Sequence, residues 1–246
     1  MRKILLLLIC FPVSYSAYSQ EYHSGDIRNN QSKLYVDYAV QTDDELDNDL
    51  TFGGAINLFI PNISLGFESG STQEFSDSSE EDYNYNIYSK MNFHYITLNA
   101  SLEETKIRFK YTEPGWGGAT NDGYVSHSVI KFGGDFLMDG SNGGVYNLGV
   151  NYNVEKFGYS LISPGELAPD EDYLTVKLGY LKPLTSSFYY RGDIEANTKE
   201  LERFDTKHSI GFNFSMLTID LYYSYENLSL IHDKQSSMGV SAGISF

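Results

Sequence analysis

Two adjacent pairs, His127-Ser128 and His208-Ser209, come nearest to a nucleophile beside its base. A serine hydrolase needs that base within hydrogen-bond reach and a third group to orient it. Both pairs sit in stretches of alternating polarity, where neighbouring side chains point to opposite faces, so neither histidine can serve its own serine. An inward His127 paired with a remote Asp leaves a dyad open. His23, His94 and His232 fall at termini or turns. Asp43, Asp44, Glu45, Asp47 and Asp49 offer carboxylates to a divalent cation. A calcium loop of the EF type, however, needs glycine at its sixth position, and counting from Asp43 that position is Asn48. The run Gly115-Trp116-Gly117-Gly118 reads as a turn cluster, and there is no phosphate-binding glycine motif or haem motif. These residues give no catalytic set, no cofactor and no metal site, and the chain is read as non-enzymatic. An outer-membrane barrel enzyme stays as a minor alternative.

The remaining charged residues must be read through the elements that carry them. Apolar residues recur every second position. Leu34, Val36, Tyr38 and Val40 alternate with Tyr35, Asp37, Ala39 and Gln41, and Ile219, Leu221, Tyr223 and Tyr225 alternate with Asp220, Tyr222 and Ser224. This is the strand period, with one apolar and one polar face. The pattern predicts strands near 33–41, 50–60, 62–69, 83–93, 96–102, 106–112, 124–137, 145–153, 156–162, 173–181, 187–196, 206–214, 217–226 and 236–246. The expectation is thus 14 strands, with 12 as the second choice. The reason for the second choice is a misfit between residues 93 and 123, where a tight turn at Glu103 to Thr105 and a long connection at Glu113 to Gly123 fall at the wrong ends. No linker or repeat divides the chain after residue 19, so residues 20–246 are expected to form one domain.

Residues 1–19 have the form of a secretory signal peptide. Arg2 and Lys3 begin it, Ile4 to Val13 is apolar, and Ala17 and Ser19 suit cleavage before Gln20. The single cysteine, Cys10, lies inside this leader, so a disulfide scaffold or Cys-ligated zinc is excluded from the rest. With 17 basic and 33 acidic residues the chain carries −16, and loss of Arg2 and Lys3 with the leader would leave −18. Such a charge repels nucleic acid. Disorder is excluded by 21 Tyr and 15 Phe.

A soluble sandwich also has strands with one apolar face. Three features favour a membrane barrel instead. The apolar face is rich in Tyr and Phe near strand ends, as interfacial girdles are. The opposite face is rich in Asn, Ser, Gly, Lys and Asp, which suits a wet lumen. Short and long connections nearly alternate. Strands in lipid must pair every backbone group, so the sheet must close. The last strand puts Met238, Val240, Ala242, Ile244 and Phe246 on one apolar face, with Gly239, Ser241, Gly243 and Ser245 opposite.

A leader, alternating strands and a closing strand ending in Phe246 resemble the Gram-negative outer-membrane β-barrel proteins. The resemblance implies an all-β, closed, antiparallel up-and-down transmembrane barrel in the bacterial outer membrane. It also implies that Met238, Val240, Ala242, Ile244 and Phe246 form an assembly signal for the barrel assembly machinery. In size the chain is similar to small monomeric porins, including the oligogalacturonate and sialic-acid channel family, from whose basic lumen this acidic chain departs. Its acidic loops and the expected 14 strands look more like the monomeric OmpG-type porin. With apolar positions facing lipid, the expected pore-lining residues are Lys90, Lys106, Arg108, Lys110 and Lys131 on one wall, and Asp37, Asp193, Glu195 and Asp220 with Arg191 opposite. The expected function is a porin-like passive channel for small hydrophilic solutes, cation-leaning from its net charge. A non-conducting structural or surface-binding barrel is the alternative. The expected surroundings are outer-membrane lipid and lipopolysaccharide, and the expected state is a monomer.

Overall fold

The computed structural model describes residues 31–42, 48–58, 63–73, 81–112, 120–160, 171–228 and 234–246. The expected leader, residues 1–19, lies outside them, as do Asp43, Asp44, Glu45 and Asp47. Among the described residues twelve strands follow one another: β1 Lys33–Gln41, β2 Asn48–Asn57, β3 Ile63–Gln73, β4 Glu81–Phe93, β5 Ile96–Thr112, β6 Thr120–Asp139, β7 Val145–Ser160, β8 Glu171–Pro183, β9 Phe188–Asn197, β10 Phe204–Phe214, β11 Leu217–Glu226 and β12 Gln235–Ser245. Each pairs antiparallel with its neighbours in sequence, and β1 pairs with β12, so the sheet is a closed up-and-down barrel. The closing seam runs from Lys33 opposite Ser245 to Gln41 opposite Ser237, and the N–H of Phe246 donates to the carbonyl of Ser32 at 2.9 Å. Closure leaves no strand edge unpaired.

The expectation of 14 strands is therefore corrected to 12, and both errors have one cause. Strands expected at 96–102 and 106–112 are a single β5, and those at 145–153 and 156–162 are a single β7. Glu103-Glu104-Thr105 and Val154-Glu155 contain no glycine, proline or asparagine, so nothing in them favours the backbone of a tight turn. The chain runs straight through. With the two turns removed the misfit between 93 and 123 disappears. Connections at the end that carries Phe246 span two to five residues, whereas those at the opposite end span six to ten.

The register sorts every described side chain to one of two faces. On the outer face Leu34, Phe52, Phe67, Ile87, Phe132, Leu178, Ile210 and Ile244 are all about half exposed. Aromatic residues border this belt, with Tyr38, Tyr83, Tyr85, Tyr152 and Tyr223 towards the long-loop end and Phe93, Tyr146, Phe188 and Phe214 towards the other. An apolar belt around the whole circumference far exceeds the patches that a water-soluble monomer exposes. It has the form of a lipid-facing barrel wall.

The inner face is mainly polar, with Ala39, Ala55 and Val129 as scattered exceptions and one larger apolar group. Leu137 of β6, Val145 of β7, Leu181 of β8 and Tyr189 of β9 are nearly fully buried inside the barrel towards the Phe246 end. Val145, Leu181 and Tyr189 pack as one apolar cluster. This small core narrows one side of the lumen there.

Candidate functional site

Towards the long-loop end the barrel encloses a cavity of about 440 Å3. Six strands each place one carboxylate on its wall: Glu68 of β3, Glu103 of β5, Glu155 of β7, Glu195 of β9, Asp205 of β10 and Glu226 of β11. Opposing them are Lys131 and His127, both from β6. Lys131 Nζ lies 3.2 Å from Glu103, and His127 Nε2 lies 3.3 Å from Glu155. The hydroxyl of Tyr173 also donates to Glu155, and the His127 ring stacks on Phe157 with centroids 4.9 Å apart. Glu195 accepts from Asn151 at 2.9 Å and from Thr175. The wall is therefore strongly acidic, and its carboxylates are held by neutral donors more than by cations.

The rim is pinned by Asp205 and Arg203. One oxygen of Asp205 accepts the backbone N–H groups of Asn227 and Leu228 at 2.8 and 2.9 Å, drawing the start of the β11–β12 connection inward. Leu228 is buried and lines the cavity. Arg203, just before β10, donates to the carbonyl of Leu228, pairs with Glu171 at 3.3 Å and lies over the ring of Tyr173.

Elsewhere on the inner wall, three tyrosines repeat one arrangement. Tyr189 of β9 donates to Asp220 of β11, Tyr222 of β11 donates to Asp37 of β1, and Tyr35 of β1 donates to Glu68 of β3. Each ring crosses the intervening strand at a glycine: Gly211, Gly239 and Gly53 respectively. A Cβ at Gly239 would sit 2.4 Å from the Tyr222 ring, so only glycine leaves the ring its path. Lys207 lies over the Tyr222 ring at 3.8 Å and Lys33 over Tyr35 at 4.8 Å. On the neighbouring β8 and β9, Lys177 and Arg191 approach Asp193 at 4.0 and 2.6 Å.

The structure places the expected pore-lining residues unevenly. Asp37, Lys90, Lys131, Arg191, Asp193, Glu195 and Asp220 are on the inner face. Lys106 is not. It pairs with Tyr83 on the outer face, where its ammonium lies 3.4 Å from Glu104. The physical reason is the missing turn: β5 carries the parity of Leu98 and Leu102 through to Lys106. The side chains of Arg108 and Lys110 lie outside the described residues. The expected pair of opposed basic and acidic walls is thus replaced by an acidic cavity at one end and interleaved charges along the rest. Met238, Val240, Ala242, Ile244 and Phe246 share the outer face of the closing strand.

Sequence reading missed Glu103 and Glu155 because it spent them on turns. It missed Glu68, Lys177, Asp205, Lys207 and Glu226, although strand parity alone points them inward. Tyr35 and Tyr222 stand at polar-face positions of the alternation, but nothing in the sequence tells that they, or Tyr189, reach across a neighbouring strand to a carboxylate. His127 takes Glu155 as its partner, and His208 lies on the outer face with Tyr190, whose hydroxyl is 2.8 Å from Nδ1. Among the described residues no three His, Cys, Asp or Glu side chains converge to hold a metal ion.

No protein-family model and no curated protein matches the sequence. Solved structures do. The translocator domain of the autotransporter NalP from Neisseria meningitidis aligns with a TM-score of 0.53 and 13% identity over 90% of both chains. The beta domain of a Bordetella autotransporter aligns at 0.51 and 11% identity, over 87% of this chain and 98% of that one. The NanC porin aligns at 0.51 and 8% identity, over 87% of this chain and all of the other. The chain has the outer-membrane β-barrel fold. At these identities the likeness is one of fold alone.

Proposed function

We propose that the chain is a bacterial outer-membrane barrel acting as a porin-like passive channel for small hydrophilic solutes, with a preference for cations. The observation that carries this reading is the six-carboxylate cavity enclosed within a barrel whose outer belt suits lipid. A wall of fixed negative charge in a lumen concentrates cations and repels anions. In this reading residues 1–19 are a cleaved leader, and the apolar strand ending at Phe246 is read by the barrel assembly machinery. The long loops face lipopolysaccharide, and the barrel works as a monomer without catalysis. The NanC porin shares the fold, which is consistent with a channel and says nothing of the solute.

A non-conducting barrel is the second reading, and one observation favours it. Leu137, Val145, Leu181 and Tyr189 narrow the lumen beneath the cavity. Single-channel recording of the folded protein in a planar bilayer decides between them. Stepwise openings with a reversal potential displaced towards the cation potential in a salt gradient are expected. Repeated absence of openings from folded protein would remove the channel.

A further inference from the structure

We propose that the acidic cavity is a subsite for organic polycations, elongated amines carrying two or more ammonium groups. The proposal rests on the channel reading for its role, but its chemistry is local. The cavity sets six carboxylates against one lysine and one histidine. Those carboxylates come from six different strands, and among the described residues no three metal-ligating side chains converge. Negative charge spread around a chamber suits a ligand whose positive charge is also spread, and suits a compact metal ion poorly. At about 440 Å3 the chamber lies within the range of small-molecule sites and is far larger than a bare ion needs.

A second observation points to a ligand that donates hydrogen bonds. Asn153 lines the cavity with 1% of its surface exposed. Its amide nitrogen donates to Thr175 at 3.3 Å, while its carbonyl oxygen has no hydrogen-bond partner. The carbonyl oxygen of Asn86, on the same cavity, is likewise buried and unpartnered. Buried acceptors are normally satisfied, and leaving them unsatisfied is costly. Both orphans here are acceptors. An ammonium group is all donor, with three N–H bonds and no lone pair. One ammonium placed towards Asn153 and Glu195 and another towards Asp205 and Glu226 would satisfy a carbonyl and neutralise carboxylates together. Lys131 already shows the arrangement, with its own ammonium against Glu103 on this wall.

The test uses spermine as the probe and the full barrel in its folded state. Calorimetry in detergent should show saturable binding, and spermine added on the long-loop side of a bilayer should interrupt the current in a voltage-dependent way. Binding should weaken at least about tenfold in Glu226→Gln and in Glu195→Gln, each of which removes one charge-assisted contact. Two separate variants are used so that misfolding of one does not decide the result. Absence of binding, binding by both variants as tight as by the unsubstituted barrel, or equal competition by magnesium at matched charge would each overturn the subsite. A conducting barrel that ignores spermine overturns the subsite and leaves the channel. A barrel that binds spermine but never opens supports the subsite and overturns the channel.

Discussion

The hydroxyl of Tyr222 on β11 donates to the carboxylate of Asp37 on β1, its ring passing over Gly239 of the strand between them. The two residues are 185 positions apart in sequence, and their contact bridges the strand that closes the barrel. Tyr189 with Asp220 and Tyr35 with Glu68 repeat the device two strands to either side. Each hydrogen bond thus clamps three strands rather than two. The arrangement reinforces the seam, where the barrel has no covalent hairpin to help it.

Replacing Gly239 with leucine should open that seam. The new side chain would occupy the space of the Tyr222 ring, and overpacking of this kind costs roughly 1–3 kcal/mol. Unfolding in urea, followed by the loss of the compact gel-migrating form, should shift to lower denaturant. An unchanged midpoint would show that the ring can move aside freely.

Tyr222→Phe and Asp37→Asn should each destabilise the barrel, and the double variant should lose less than the sum of the two. Residues sharing one hydrogen bond couple by about 0.5–3 kcal/mol. A double-mutant cycle on unfolding free energy measures it. Strict additivity would mean that the pair contributes nothing as a pair.

Lys131→Gln should increase cation preference, because it removes the one lysine among the described residues that line the six-carboxylate cavity. Lys106→Gln should leave selectivity unchanged, because that side chain is on the outer face beside Glu104. Reversal potentials in a salt gradient separate the two. An equal effect of both substitutions would contradict the single long β5.

Deletion of Phe246 should lower the amount of assembled barrel in cells while leaving folding into detergent intact. Its side chain is exposed on the outer face, and its backbone contributes one hydrogen bond to Ser32. Equal losses in both settings would make the residue structural rather than a recognition element.

Much of the fold is legible from the order of residues because a strand's two faces differ chemically at every step. Leu34, Val36 and Val40 against Asp37 and Gln41 already state which face meets lipid and which meets the lumen. The same alternation runs through β12, and the acidity of the chain is visible in its composition. Even Glu68, Lys177 and Lys207 could have been placed by parity alone.

Strand number and the cavity needed the tertiary structure. Glu103-Glu104-Thr105 lack the residues a tight turn prefers, but only their pairing with β4 and β6 along both sides fixes them as extended strand. That decision reverses the face of Lys106 and brings Glu103 and Glu155 to the wall of one cavity. The tyrosine clamps likewise join residues on alternate strands across a glycine. Such contacts follow from closure of the sheet, which no local stretch of sequence contains.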